Sequence, residues 1–151
     1  MTTWNKSALE ILEMFDRGHE LDFDETILKV HAKNIAKAVR ENDTNAMHNW
    51  ITAVGFEATR GLAEAQLWHP EIMQAVLVKK QNDYGHENIL AFGIVGVAIR
   101  VCDKIARYEN LKDRKDQTQN EPFEDCMMDM VGYATIARMI KNNTFTLELE
   151  H

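Results

Sequence analysis

Four acids stand close together near the C-terminal end of the chain: Glu121, Glu124, Asp125 and Asp129, in "EPFEDCMMDM". On a helix turning about 100° per residue, Glu121, Asp125 and Asp129 fall within an arc of roughly 80°. The same stripe continues through Gly132, Ile136 and Ile140. Isoleucines there should point into a bundle, which puts the acids at the mouth of the core, on its inner face. Unpaired buried carboxylates are costly, so positive groups should meet them. Upstream, Gly96, Arg100, Asp103 and Arg107 share one helix face, with Lys104 at its edge. An antiparallel hairpin of the two stretches sets Asp103 near Asp129, and Arg107 near Glu124 or Asp125.

Three chemistries suit such a cluster. One is a structural ion-pair network; first-turn acids such as Glu121 and Glu124 are also accounted for by the helix dipole. The second is a divalent-metal site, since Mg²⁺ takes oxygen ligands, keeps several waters and bridges to substrate phosphates. Acids three or four residues apart on facing helices supply that geometry in carboxylate-lined bundles. The third is a phosphate site on Arg100, Lys104 and Arg107. The last two combine, with metal on the acids, phosphates between metal and bases, and a water activated for attack on a phosphate anhydride. The candidate ligands of Mg²⁺ (or Mn²⁺) are Asp103, Glu121, Asp125 and Asp129, with Asp103 and Asp125 the candidate catalytic acids. Glu57 and Glu64 share a stripe with Trp50, Val54 and Gly61; Arg60 or a base on a neighbouring helix is the expected partner there, a metal the alternative.

These residues need helices to position them. The 151 residues suit one domain, 1–148, with 45% apolar residues and only two Pro and seven Gly. The predicted helices are "SALEILEMF" with Ser7 as N-cap, "DETILKVHAKNIAKAVREN", and a long one capped by Thr44 that runs to Trp68-His69-Pro70. Then come "EIMQAVLVKKQ", a helix over 88–110, and one over 121–142 with Pro122 in its first turn. In the second of these, Ile27, Leu28, Val30, Ile35 and Val39 share one face. No stretch alternates with period two. The fold class is all-α, a bundle of five or six helices ending in an antiparallel helical hairpin that carries the acid/base cluster. Gly93 and Gly96 are placed inside a helix, where close packing is their expected use. Trp50, Phe56, Trp68 and Phe92 are read as core, and Cys102 and Cys126 as buried free thiols.

The net charge of -7 argues against a general nucleic-acid or membrane-surface binder. No apolar run approaches the length of a membrane span, and "MTTWNKSALE" has no signal-peptide pattern, so a cytoplasmic location is expected. The ending "LEH", residues 149–151, resembles an expression-tag remnant.

Taken together, "NDYGHENILAFGIVGVAIRVCDKIARYENL" and "NEPFEDCMMDMVGYATIARMI" are similar to phage and bacterial proteins of the nucleotide modification associated domain type. These sit with the MazG-like, all-α nucleoside triphosphate pyrophosphohydrolases. The elements that carry the resemblance are Lys79 and Lys80, Asp83-Tyr84-Gly85, Arg100, Asp103-Lys104, Arg107, Glu121, Asp125, Asp129 and Tyr133, over about the last 70 residues. The resemblance implies Mg²⁺-dependent cleavage of a (d)NTP to (d)NMP and pyrophosphate, a homo-oligomer, and a ligand-site role for Asp83 and Tyr84. Better-known MazG-like enzymes pair Glu-x-x-Glu on one helix with Glu-x-x-Asp on the next. Here the acids are spaced by four, with no clean Glu-x-x-Glu on the helix before. That departure motivates the alternative, a nucleotide-binding protein that sequesters its ligand uncleaved. Asn88 lies about 22 Å before Asp103 along a straight helix. Unless that helix bends, Asp83 and Tyr84 serve the far end of a long nucleotide, a second subunit's site, or structure alone.

Overall fold

The computed structural model describes residues 1–18, 20–114 and 121–150, the side chain of Glu121 excepted. Three short polar side chains start the first helices. Thr3 accepts a bond from the Lys6 N–H, Asp24 from Thr26 and Asp43 from Ala46, each satisfying a backbone donor left free at a helix start. They open α1 (Trp4–Asp16), α2 (Glu25–Arg40) and α3 (Thr44–Glu64). Pro70 stands in the first turn of α4 (Pro70–Tyr84), where its missing N–H is no loss. Helices α5 (Glu87–Leu111) and α6 (Glu121–Lys141) complete an all-α bundle.

The expected caps move by a few residues. Asp43, not Thr44, caps α3, and α1 begins before Ser7. Ser7 is buried instead and donates to Thr144 Oγ1 at 2.6 Å. With Trp4 N–H on the Glu148 carbonyl at 3.0 Å and Phe145 beside the Trp4 ring, this bond ties the segment after α6 to α1. The third helix ends at Glu64, short of Trp68, because Gln66 adopts a left-handed φ of 62°.

Helix α6 lies at the centre, with its largest contact on α3 and its next on α5, while α2 covers α3 and α5, and α1 covers α4 and α6. The α3 face of Met47, Ile51, Val54, Ala58 and Leu62 is fully buried. At Gly55 α3 packs tightly on α1 and α6: an added Cβ would lie 2.5 Å from the Phe15 ring and 2.8 Å from Ala134 Cβ. The buried arc of α6 is Cys126, Met127, Met130, Val131, Ala134 and Ala137. Ile136 and Ile140 are only half-buried. The stripe through Asp125 and Asp129 therefore runs along the flank of α6 and not along its inner face. The reason is that α3 and α5 both claim α6, which centres its burial on the Met127–Ala134 arc.

Two other expectations change. On α2, Leu28 and Ile35 are buried, but Ile27 and Val30 face outward, because the helix is covered only on the side of α3 and α5. On α5, Gly93 is not helical: its φ of 62° and ψ of -154° break the helix in two. That conformation is open essentially to glycine alone. Just past the break, a Cβ at Gly96 would meet Phe92 Cβ at 2.6 Å. The bend also swings Phe92 outward to 66% exposure, so it is not core. Trp50, Phe56 and Trp68 do pack against the core.

Gly93→Ala is expected to lower unfolding free energy by about 1–3 kcal/mol, from the backbone term alone, since nothing lies within 4 Å of the new methyl. Urea denaturation measures it. An unchanged midpoint would mean that the bend is not held.

Candidate functional site

The helical hairpin forms in nearly the expected register. Lys104 Nζ lies 3.1 Å from Asp129 Oδ2, and Arg107 donates to Cys126 Sγ at 3.5 Å. Stepping three residues forward on α5 and three back on α6 is what antiparallel helices require. The register differs by one residue from that expected: Lys104, not Asp103, meets Asp129, and Arg107 meets Cys126, not Glu124 or Asp125. A third helix joins them, for Lys80 on α4 reaches Asp129 Oδ1 at 3.5 Å. Asp129 is thus held between lysines from two helices, with its side chain 24% exposed.

The electrostatics follow from that placement. The Asp129 carboxylate holds the Lys104 ammonium above the usual lysine range by hydrogen bond and by charge; burial and the Arg107 guanidinium oppose it. Tyr133, one turn beyond Asp129, is near enough to act in the same direction as Asp129. Lys80, Lys104, Arg107, Asp129 and Tyr133 therefore gather at one three-helix junction. Arg100 lies one turn before Lys104 on α5, half-buried.

The acids are less tightly gathered. Asp103 and Asp125 are exposed, and Glu121's side chain lies outside the described residues. Among the described residues no three His, Cys, Asp or Glu side chains come together as a metal-binding group. The nearest fit to a cation ligand set is Asp125 and Asp129 on adjacent turns of α6, with lysines already on Asp129. A metal there would have to displace those ammonium groups.

Elsewhere the acids are structural. Glu57 is buried and fully occupied, accepting from Arg60 at 2.7 Å and from the Asp24 N–H at 2.7 Å, so Arg60 is its partner as expected. Glu64 accepts from the Phe23 N–H. At the far end of α5, the Tyr108 hydroxyl donates to Glu25 at 2.8 Å. Burial first, and then that acceptor, hold its pKa far above the usual tyrosine value. Both cysteines are free; Cys126 is buried and Cys102 half-buried. Burial pushes the Cys102 thiol up to about 11 and raises Cys126, so neither is a ready nucleophile.

The "NDYGHEN" stretch is mostly helix. Asp83 and Tyr84 form the last turn of α4, and only Gly85, at φ 70°, and His86 separate it from α5. Asp83 pairs with Lys79 at 3.0 Å, and Tyr84 is 81% exposed. The α5 helix bends at Gly93, and α4 itself brings Lys80, one turn before Asp83, to Asp129. Lys80 is the site residue absent from the candidate set. Its signal in the sequence was the lysine pair at the end of α4.

Above pH 10 the unfolded chain releases the Lys104 and Tyr108 protons before the folded chain does, so stability should fall as pH rises through that range. Tyr108→Phe and Asp129→Asn are each expected to flatten the decline, read as denaturant midpoints across the alkaline range. Equal slopes for all three proteins would contradict these contacts.

Compared with protein-family models, with curated proteins and with solved structures, the chain matches none.

Proposed function

We propose that the protein binds the phosphates of a nucleoside triphosphate at the junction of α4, α5 and α6. The observation that carries this is Asp129 shared between Lys80 and Lys104, with Arg107 on the same side of the hairpin. Lys80 and Lys104 meet on one carboxylate, and Arg100 and Arg107 stand within a turn of Lys104 on α5, so four cationic donors lie about that acid. Phosphate oxygens are strong acceptors for such donors. An arriving polyphosphate would take Lys80 and Lys104 from Asp129, exchanging one anion for a more highly charged one. Asp83 and Tyr84, one turn beyond Lys80, would stand at the edge of that site and contact the rest of the nucleotide.

The second reading is cleavage of a (d)NTP to (d)NMP and pyrophosphate, as the MazG-like resemblance implies. It is favoured by Asp125 and Asp129 standing on adjacent turns beside Lys104. In that reading Mg²⁺ or Mn²⁺ sits on Asp103, Glu121, Asp125 and Asp129. The described side chains do not gather in a ready metal cage, so the residues best placed for work in this arrangement are the lysines and arginines, which bind and orient the phosphates. A homo-oligomer belongs to the same proposal; the exposure of Leu90, Phe92 and Ile99 on α5 and of Val30 on α2 supports it. Among the described residues no helix is long and apolar enough to cross a membrane.

Incubating the full chain with each dNTP and Mg²⁺ or Mn²⁺ separates the two readings. Pyrophosphate release, lost in Asp125→Asn, supports cleavage. Tight binding by calorimetry with the nucleotide recovered intact supports binding alone. Neither binding nor release, from a folded protein, overturns both.

A further inference from the structure

A pocket of about 170 Å³ lies where the end of α3, the start of α4 and the first turns of α6 meet. It is separate from the lysine cluster. Its walls are Leu62, Trp68, Met73 and Met128, and Gln66, His69 and Glu124 add polar groups to its lining. The walls are firmly placed. Leu62 and Met73 are buried, and the Trp68 indole is fixed by its N–H on Asp16 Oδ1 at 2.7 Å.

Size and lining together define an occupant. A cavity of about 150 Å³ takes a benzene molecule, so this pocket has room for a single compact ring system. An indole and two thioethers favour a planar aromatic guest, through ring contacts and through the attraction of sulfur for aromatic rings. Glu124 is the one acidic side chain in the lining. Among the described residues none hydrogen-bonds to its carboxylate or forms an ion pair with it, so among them no donor competes for its oxygens. A carboxylate can accept two parallel bonds only from an edge that offers two adjacent N–H donors. Among the common bases guanine alone has that edge, its ring N1–H beside its 2-amino group. Adenine and cytosine set an acceptor nitrogen beside the amino group. Thymine and uracil set carbonyl oxygens on both sides of their N–H, and these repel a carboxylate.

We propose that this pocket takes the base of a guanine nucleoside or nucleotide, with Glu124 accepting from N1–H and the 2-amino group and Trp68, Met73 and Met128 packing on the ring. The proposal leans on the nucleotide-binding reading only for the phosphates. Glu124 and Asp129 lie on one helix, about 7.5 Å apart along its axis.

Nucleosides test it, because they carry no phosphate. The full chain, labelled at its methionine methyls, is titrated with guanosine, inosine, adenosine, cytidine and thymidine. Guanosine is expected to shift the Met73 and Met128 signals and to bind about tenfold or more tighter than the others, inosine included, since it lacks the 2-amino donor. Glu124→Gln, with its melting temperature checked against the parent, is expected to lose that preference. Equal binding of guanosine and inosine overturns the proposal, as do unmoved methionine signals at millimolar guanosine. Guanosine binding that inorganic triphosphate neither matches nor strengthens would remove the phosphate reading and leave the base pocket standing. Base-blind dNTP binding with still methionines would do the reverse.

Discussion

The structure depends on the close contact of α3 and α6 at Gly55. There the Phe15 ring and the Ala134 methyl occupy the space that a side chain would fill. With α3 and α6 so close, α6 buries the arc from Met127 to Ala134, and its other flank is left for α5 and α4. That flank carries Asp129. The carboxylate is therefore half-sheltered and not deeply buried. This is why two lysines suffice to partner it. A deeper acid would need a more complete set of partners. A more exposed one would gain little from any.

Glycine shapes the second constraint. Gly85 ends α4 and Gly93 breaks α5, both with positive φ and both in open space. Between them a single helical turn and a half, Glu87 to Phe92, presents Leu90 and Phe92 to solvent. A straight α5 would have carried the Asp83–Tyr84 end of α4 far from Asp129. Instead α4 crosses α6 so that Leu77 packs over Gly132 and Lys80 reaches the acid. Close packing at one glycine and backbone freedom at two others thus place the charged groups.

The helices were legible in the sequence because their periodicity repeats the same message over many residues, although the caps expected at Ser7 and Thr44 fall at Thr3 and Asp43. The α5–α6 register was legible to one residue, because the basic stripe of α5 and the acidic stripe of α6 have to face one another. What was not legible had specific causes. The bend at Gly93 looks in sequence like any tolerated helix glycine. The buried arc of α6 was misplaced because Ile136 and Ile140 outrank Met and Ala in apolarity, whereas burial followed the neighbours that each face meets. Lys80, named only as part of the resemblance, was given no role because its partner lies 49 residues away on a helix whose crossing with α4 no local pattern announces. The pocket at Trp68 was hidden for a similar reason, since it is lined from three helices and the turn between two of them.

The central claim is that Lys80 and Lys104 leave Asp129 to hold phosphates. Calorimetric titration of inorganic triphosphate into the wild-type chain and into a Lys80→Ala, Lys104→Ala variant tests it most directly. The account predicts binding to the wild type that weakens with salt and is lost in the variant, with both proteins folded by circular dichroism. Unchanged binding in the variant, or none in the wild type at low ionic strength, would contradict it.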